Sequence, residues 1–473
     1  MVGTLMAVTG GLCIGKEGPL AHIGANVGAI VCQAPIKGFR VLQNDVTKRQ
    51  LIAAGASAGV SAAFGAPIGG SLFSYEISKP NTFWTFSMLW RVFLCSSIST
   101  FTLSILSALA SDSPFSLSDQ ATLKFGDLED EENSLLDLPA AIIVGATCGC
   151  LGALFIHVNV SLAILRKKYI TKNWMKIWEA LFFAFATSFV FFGTTLLRGK
   201  NCTKSQPGNE DDEFRFYCPD GEYNPLASLI FNTEGGTIRS FLAYPLSIKD
   251  LEPDERPVST WNILIYLVLW YFFTITTYGV WVPAGLFLPG ILIGCSVGLL
   301  YMQLMIQGFG YNIERIGGQS YIIIGAASML AGYCRLTYSL AVIMLETTQS
   351  INLFLPMLIG IMVSLAVARG FNRSLYDYAI RAKQMPLLRN HVPKKNKDMR
   401  VKELLAARDY YYSCEVVESV CQVQRLEQLI QTPYHTIPVV NMAGKLIGLI
   451  PKSFIFVLIE NHQWYNENLK SKK

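Results

Sequence analysis

Glu17 is the sole acid in a run that otherwise offers mostly bare backbone, Ile14-Gly15-Lys16-Glu17-Gly18-Pro19. A second run, Gly285-Leu286-Phe287-Leu288-Pro289, is built alike without the acid. Both are glycine- and proline-punctuated breaks between strongly apolar segments, the places where a chain inside a bilayer presents N–H groups instead of closing them within a helix. The chemistry this suits is anion binding. A helix N-terminus carries unpaired donors and roughly half a positive charge, replacing water around an ion whose desolvation costs on the order of tens of kcal/mol by the Born estimate. No full positive charge is needed, which lets the ion leave again. Half-helices beginning at Gly18 and near Phe287 would aim at one anion from opposite sides, with the backbone of Gly15, Lys16 and Gly18 on one and that of Leu286 and Phe287 on the other. The plainer reading of such glycines is close helix packing.

Stepping outward, the two breaks belong to a repeat. Gly15 and Gly285 are 270 positions apart, as are Pro19 and Pro289, Ile23 and Ile293, Gly24 and Gly294, Val27 and Val297, and Gly28 and Gly298. The same offset joins Gly55-Ala56 to Gly325-Ala326 and Glu76 to Glu346. A register held without a gap over this length predicts two copies of one unit, each a broken helix followed by a hairpin of membrane segments.

With GKEGP at 15–19, GAPIGGSLFSYE at 65–76 and GLFLP at 285–289 in that order, the chain resembles the CLC chloride channel and anion/proton exchanger family from its first residues to about position 382. The resemblance implies an all-α polytopic membrane protein with an inverted-repeat CLC fold and broken helices, homodimeric with one pore per subunit, and chloride as the transported ion. It implies that Glu17 is the gate, occupying an anion site when charged and moving aside when protonated. It also implies that Tyr376 turns its hydroxyl to the central anion, a neutral donor that does not trap the ion. Tyr378 is the neighbouring decoy, and an interfacial aromatic belt is the other account of both.

Two departures from the family pattern bear on function. The Gly-Ser-Gly-Ile-Pro segment that supplies a central serine is absent, and the spans at 138–197 that precede the second copy have no counterpart before Met1. The expectation is a chain lacking its first helices, so a nonconducting subunit stands as one alternative. Exchangers of the family usually carry two successive acids after the Phe-Ser pair, whereas Phe73-Ser74-Tyr75-Glu76 is followed here by Ile77, which carries no proton. That favours passive chloride conduction. Asp220-Gly221-Glu222-Tyr223-Asn224 and Tyr278-Gly279 resemble instead the endosomal and lysosomal branch, mostly exchangers. Chloride/proton antiport in an endosomal, lysosomal or vacuolar membrane, or in the plasma membrane, is therefore the other alternative.

Composition agrees with the membrane and excludes other classes. A chain of 473 residues with 51% hydrophobic and 15% charged residues is too apolar for a soluble protein of this size. Its net charge of +5 is dispersed, which argues against a nucleic-acid partner. Neither break has the G-x-x-x-x-G-K-[ST] pattern of a phosphate-binding enzyme, and no enzymatic activity is expected. The eleven cysteines form no C-x-x-C pair, so no metal site is expected. Cys202 and Cys218 share the long polar loop with the sequon Asn201-Cys202-Thr203, and suit a disulfide and a glycan if that loop faces a lumen or the exterior.

Charge then orients the chain. Arg40, Lys48 and Arg49 in a polar connection at 37–49, and Arg166-Lys167-Lys168 with Lys172 and Lys176, mark the cytoplasmic face, leaving the loop at about 200–258 outside. An acidic loop at 111–136 reads as a solvated connector. Several apolar segments after the second break are shorter than a crossing, as expected of helices that stop part-way. The repeated acids Glu76 and Glu346 are expected to cap neighbouring helices, with Arg335 a candidate to neutralise one of them. Beyond the membrane portion at 1–382, residues 383–473 turn polar and basic, with Lys394-Lys395-Asn396-Lys397. Helical periodicity at Val417 to Gln431 and two strands at 435–440 and 445–450 joined by a glycine turn resemble a single, partial CBS-like α/β module. The family usually pairs two such modules, so nucleotide binding is not expected from one. The sequence names no accessory subunit.

Overall fold

Glycine and proline decide where the helices stop. The short helix α1 (Val2–Thr9) ends before Gly10-Gly11, and α2 (Glu17–Gln33) begins on the acid of the first break, with Pro19 in its first turn, where a missing N–H leaves nothing unpaired. α3 (Asp45–Phe64) ends at Gly65, whose φ of +69° is a left-handed cap that glycine adopts without strain, and Pro67 opens α4 (Pro67–Ser78). Then come α5 (Phe86–Ala110), α6 (Asp137–Tyr169) and α7 (Asn173–Leu197). A two-stranded ribbon of β1 (Thr203–Lys204) and β2 (Glu222–Tyr223) leads into α8 (Pro225–Phe231), α9 (Glu234–Lys249) and α10 (Thr260–Thr277). After the second break follow α11 (Phe287–Phe309), α12 (Gly318–Cys334), α13 (Tyr338–Thr348), α14 (Phe354–Phe371) and α15 (Leu375–Ala382). This computed structural model describes residues 2–34, 45–78, 84–110, 137–198, 202–204, 214–249, 259–309, 318–383, 415–432 and 434–462.

Six helices among the described residues are long and apolar enough to cross a membrane: α5, α6, α7, α10, α11 to residue 308, and α14. The chain is an integral, multi-pass membrane protein. At 1.5 Å per residue, the 12 residues of α4 and 11 of α13 reach only about 17 Å, well short of a bilayer core.

The chain divides into two compact units, residues 1–25, 54–78 and 86–386 in one and residues 26–53, 79–85 and 387–473 in the other. In the first, α12 is buried along its whole length. Lipid supplies no hydrophobic drive between helices, so contact is gained by close approach through small residues. A side chain on Gly294 would strike the carbonyl of Gly325, one on Gly145 that of Gly360, and one on Gly152 the backbone of Gly332. The same contact recurs one repeat earlier, where a side chain on Gly24 would strike the carbonyl of Gly55. Several buried polar groups find partners within the protein: Ser364 Oγ donates to Ser328 O at 2.6 Å, Tyr321 Oη to Asp137 at 2.9 Å, and Gln303 Nε2 to Tyr244 Oη at 2.8 Å. The second unit repeats the close crossing, with Gly28 against Leu51 O, the counterpart of Gly298 against Tyr321 O in the first.

The C-terminal module is a sheet of order β3 (Val417–Glu418), β4 (Thr436–Val440), β5 (Leu446–Pro451), with β3 parallel and β5 antiparallel to β4. It is joined by α16 (Val423–Ile430) and α17 (Lys452–Glu460) around a core of Val417, Leu429, Ile437 and Ile455. Two expectations are corrected. The helix expected from Val417 starts only at Val423, because Val417 and Glu418 pair with Val439 and Val440 instead. The polar connection expected at 37–49 ends sooner, since α3 already begins at Asp45 and carries Lys48 and Arg49. Arg40, the loop at 111–136 and the basic run at 394–397 lie outside the described residues.

Candidate functional site

The two breaks clasp each other. Gly15 N–H donates to Gly285 O and Gly285 N–H donates to Gly15 O, both at 2.8 Å. Only glycine allows this approach: a Cβ on Gly285 would stand 2.8 Å from Gly15 O and 2.9 Å from Gly18 N. The bond corrects one expectation, because the Gly15 N–H is committed to Gly285 and not left open to an anion. Its effect is to bring the N-termini of α2 and α11 together although 270 residues separate them.

Glu17 lies in the seam so formed, 2% exposed. Its carboxylate lies beside its own N–H and that of Leu288 at the start of α11, while Oε2 lies over Gly15 with no hydrogen-bond partner. The acid that opens α2 therefore faces amides at the start of both half-helices. Beside it is a cavity of about 230 Å³ lined by Glu17, Gly18, Leu286, Phe287, Ile77 and Tyr376, with Tyr278 also on its wall. The Phe287 ring is held edge-on by Phe64 and Phe73, each at 5.5 Å between centroids, and the Leu286 carbonyl accepts from Tyr333 Oη at 2.5 Å. The Tyr376 hydroxyl stands 3.7 Å from Cys334 Sγ. Of the residues expected at the anion, Gly18, Leu286, Phe287 and Tyr376 share this cavity with Glu17. Lys16 does not, and lines a second, larger cavity of about 990 Å³.

Reciprocal caps brace the short helices behind this seam. Glu76, near the end of α4, accepts from the N–H and Oγ1 of Thr337 and the N–H and Oγ of Ser339 at the start of α13. Glu346, near the end of α13, accepts from the N–H groups of Ile68 and Gly69 at the start of α4, at 3.0 and 2.7 Å. Each helix thus closes the orphan donors of the other, the repeated capping role expected of these acids. Arg335 neutralises neither, contrary to expectation. It donates to Ala368 O and Asn372 Oδ1 at 2.8 and 2.7 Å, because its backbone ends α12 in the left-handed region at φ +61° and turns the side chain toward α14.

A second brace was not anticipated. Asn159 donates to Ile275 O and Tyr278 O at 2.9 and 2.8 Å, and Arg166 donates to Tyr278 O at 3.0 Å and to Thr276 O while pairing with Glu179 at 2.5 Å. These satisfy the last carbonyls of α10 immediately before the second break. The Arg166 and Glu179 side chains are 12% and 9% exposed, so Arg166 is an internal ion pair rather than a solvated charge of the inner face. The available signal was an amide in mid-span and an arginine closing an apolar run, both exceptional in a bilayer. Cys202 and Cys218 are joined as a disulfide with Cα atoms 5.8 Å apart. Asn201 lies outside the described residues.

A family model described as voltage gated chloride channel matches residues 1–369. The chain belongs to the CLC family. Among similar CLC proteins are human H(+)/Cl(-) exchange transporter 7, 31% identical over 97% of this chain and 57% of its own length, and chloride channel protein C of Dictyostelium discoideum, 31% identical over 98% and 62%. The chain thus spans about three-fifths of the length of these curated relatives. A solved eukaryotic CLC transporter superposes with a TM-score of 0.58 at 22% identity, covering 97% of this chain and 69% of that one. A cyanobacterial Cl-/H+ antiporter gives 0.54 at 17% identity over 79% and 72%. The clasped breaks and paired short helices are therefore parts of a CLC fold.

Proposed function

We propose that this chain forms a CLC-type anion pathway that carries chloride across a membrane and is gated by the Glu17 carboxyl. The observation that carries the proposal is the Gly15–Gly285 clasp, which sets a carboxylate against the amide ends of two half-helices at one cavity. A carboxylate is itself an anion, so donors that hold it suit chloride once the side chain has moved away. Protonation removes the charge that makes those hydrogen bonds strong and releases the side chain. Flux through this route rises as the solution is acidified. Gly18, Leu286 and Phe287 supply backbone around the ion, and Tyr376 supplies a hydroxyl.

Passive conduction is supported by Ile77, which lines the same cavity as Glu17 and Tyr376 and takes no proton. Exchange of chloride for protons is the second reading, favoured by the activity in the names of the human relative and the cyanobacterial neighbour. Chloride and proton flux measured together in proteoliposomes separates them: chloride flux without proton movement supports a channel, and uphill proton movement driven by chloride supports an exchanger. Chloride flux seen only after extension of the chain at its N-terminus supports a nonconducting subunit, and none in either form removes the proposal. The family likeness further supports a homodimer with a pathway in each subunit, a division into a transport portion at 1–382 and a tail at 383–473, and an endosomal, lysosomal or vacuolar membrane. Cross-linking in membranes and imaging of the tagged chain test the dimer and the location.

A further inference from the structure

Glu17 has almost no access to water, yet a gate that responds to acid must receive a proton. The larger cavity offers the way in. It is lined by Lys16, the residue before the gate, and by Leu288, whose N–H lies beside the Glu17 carboxylate, so it reaches the residues on both sides of the gate. Its wall carries another carboxyl, Glu234, the first residue of α9, half-buried and within electrostatic range of both Glu17 and Lys16. Thr233, whose Oγ1 accepts from the Gly236 N–H at 3.1 Å, caps the helix start and holds Glu234 in the wall. Among the described residues, the remaining titratable and charged groups near Glu234 are Cys13 just before the first break, Arg239 from its own helix and Tyr266 from α10, while α7 contributes Ser188, Phe191 and Phe192.

We propose that Glu234 is a second exchangeable carboxyl that passes protons between the solution filling the larger cavity and Glu17. The acid form of Glu234 gives its proton to the Glu17 carboxylate, directly or through cavity water. Glu17 becomes the neutral acid and lets go of its amides, and the Glu234 carboxylate left behind takes a proton from the solution. No other reactant is consumed. Burial favours the acid form of Glu234, as does the Glu17 carboxylate, and Lys16 opposes them with the smaller effect, so Glu234 rests loaded with the proton it passes on. The loop with the Cys202–Cys218 disulfide leads into α8 and α9, which places this cavity on the lumenal or outer side.

This inference rests on Glu17 as the gate, and the test keeps the two apart. Chloride flux is recorded in proteoliposomes after a pH step on the side of the larger cavity, for the unchanged chain, Glu17→Gln, Glu234→Gln and Glu234→Asp. The relay predicts that Glu234→Gln slows the response by about 10-fold or more, that Glu234→Asp restores most of the speed, and that a pH step on the opposite side is answered as before. A Glu234→Gln response as fast as the unchanged chain's overturns the relay while leaving the gate intact. Slowing that Glu234→Asp does not restore, or that appears equally from both sides, marks a structural role and overturns it as well. Should Glu234→Gln fail to assemble, Glu234→Ala takes its place, a slowed response supporting the relay and an unslowed one ending it. A Glu17→Gln chain that still responds to pH removes the gate itself.

Discussion

The two copies of the repeated unit share a backbone and divide the chemistry. α2 and α11 start at equivalent positions, 17 and 287, but the first begins on a buried carboxylate and the second on a phenylalanine wedged between two other rings. α3 and α12 end at equivalent positions in the same left-handed turn, filled by Gly65 in one and by Arg335 in the other, where bonds to Ala368 and Asn372 offset the strain of a non-glycine residue. Tyr376 has no counterpart, since Leu106 at the same offset lies within the long helix α5. Duplication supplies paired helix ends with matched geometry, and a few substitutions then make one side the gate and the other its wall. An ion held between two equal carboxylates would be repelled from both, so the asymmetry is itself functional.

The comparison is tested most severely by removing the charge that only one copy carries. Glu17→Gln should abolish the pH dependence of chloride flux, read in proteoliposomes from acid to neutral pH. Retained dependence would mean that the first copy is not the gating one. The clasp comes next. A methyl on Gly285 meets the Gly15 carbonyl and Gly18 amide, neither free to move, so Gly285→Ala should cost about 3 kcal/mol and lower the melting temperature of the detergent-solubilised protein. Gly15→Ala instead meets Glu17 Oε2, the end of a side chain, and should cost about 1 kcal/mol while displacing the gate and raising flux at neutral pH. Equal effects of the two would show that the clasp is symmetric in energy as well as in geometry.

The caps sharpen the same point. Glu76 receives hydrogen bonds from four groups and Glu346 from two. Glu76→Gln should therefore destabilise by about 3 kcal/mol and Glu346→Gln by about 1.5 kcal/mol, at roughly 1 kcal/mol or less for each bond weakened. Thermal unfolding of each variant measures the difference, and a reversed order would contradict the unequal bracing. The smallest effect is expected at Tyr376→Phe. Loss of one neutral donor to the anion should weaken chloride binding by about 2- to 10-fold, as read by calorimetry, with melting temperature unchanged.

Much of this was legible because its signals are local. Glycine and proline mark helix ends through the conformations and donors of single residues, and the 270-residue register needed only the order of residue types. Glu76 and Glu346 were readable as caps because an acid near the end of a short apolar helix has few other ways to be satisfied in a membrane. The module at the end of the chain was less legible: Val417 and Glu418 fit a helical period, and only pairing with β4 makes them a strand.

The sequence by itself determined the membrane class, the places where the helices break and the equivalence of the two breaks, since hydropathy, backbone freedom and repeat spacing act over short stretches of chain. Tertiary structure alone decided that Gly15 is committed to Gly285, that Lys16 and Glu17 serve different cavities, that Ile77 shares the wall with Tyr376, and that Arg166 and Arg335 tie down the ends of other helices. These depend on groups tens to hundreds of residues apart meeting within hydrogen-bond distance. Such meetings are set by how closely helices pack through their glycines and not by any preference of the residues themselves.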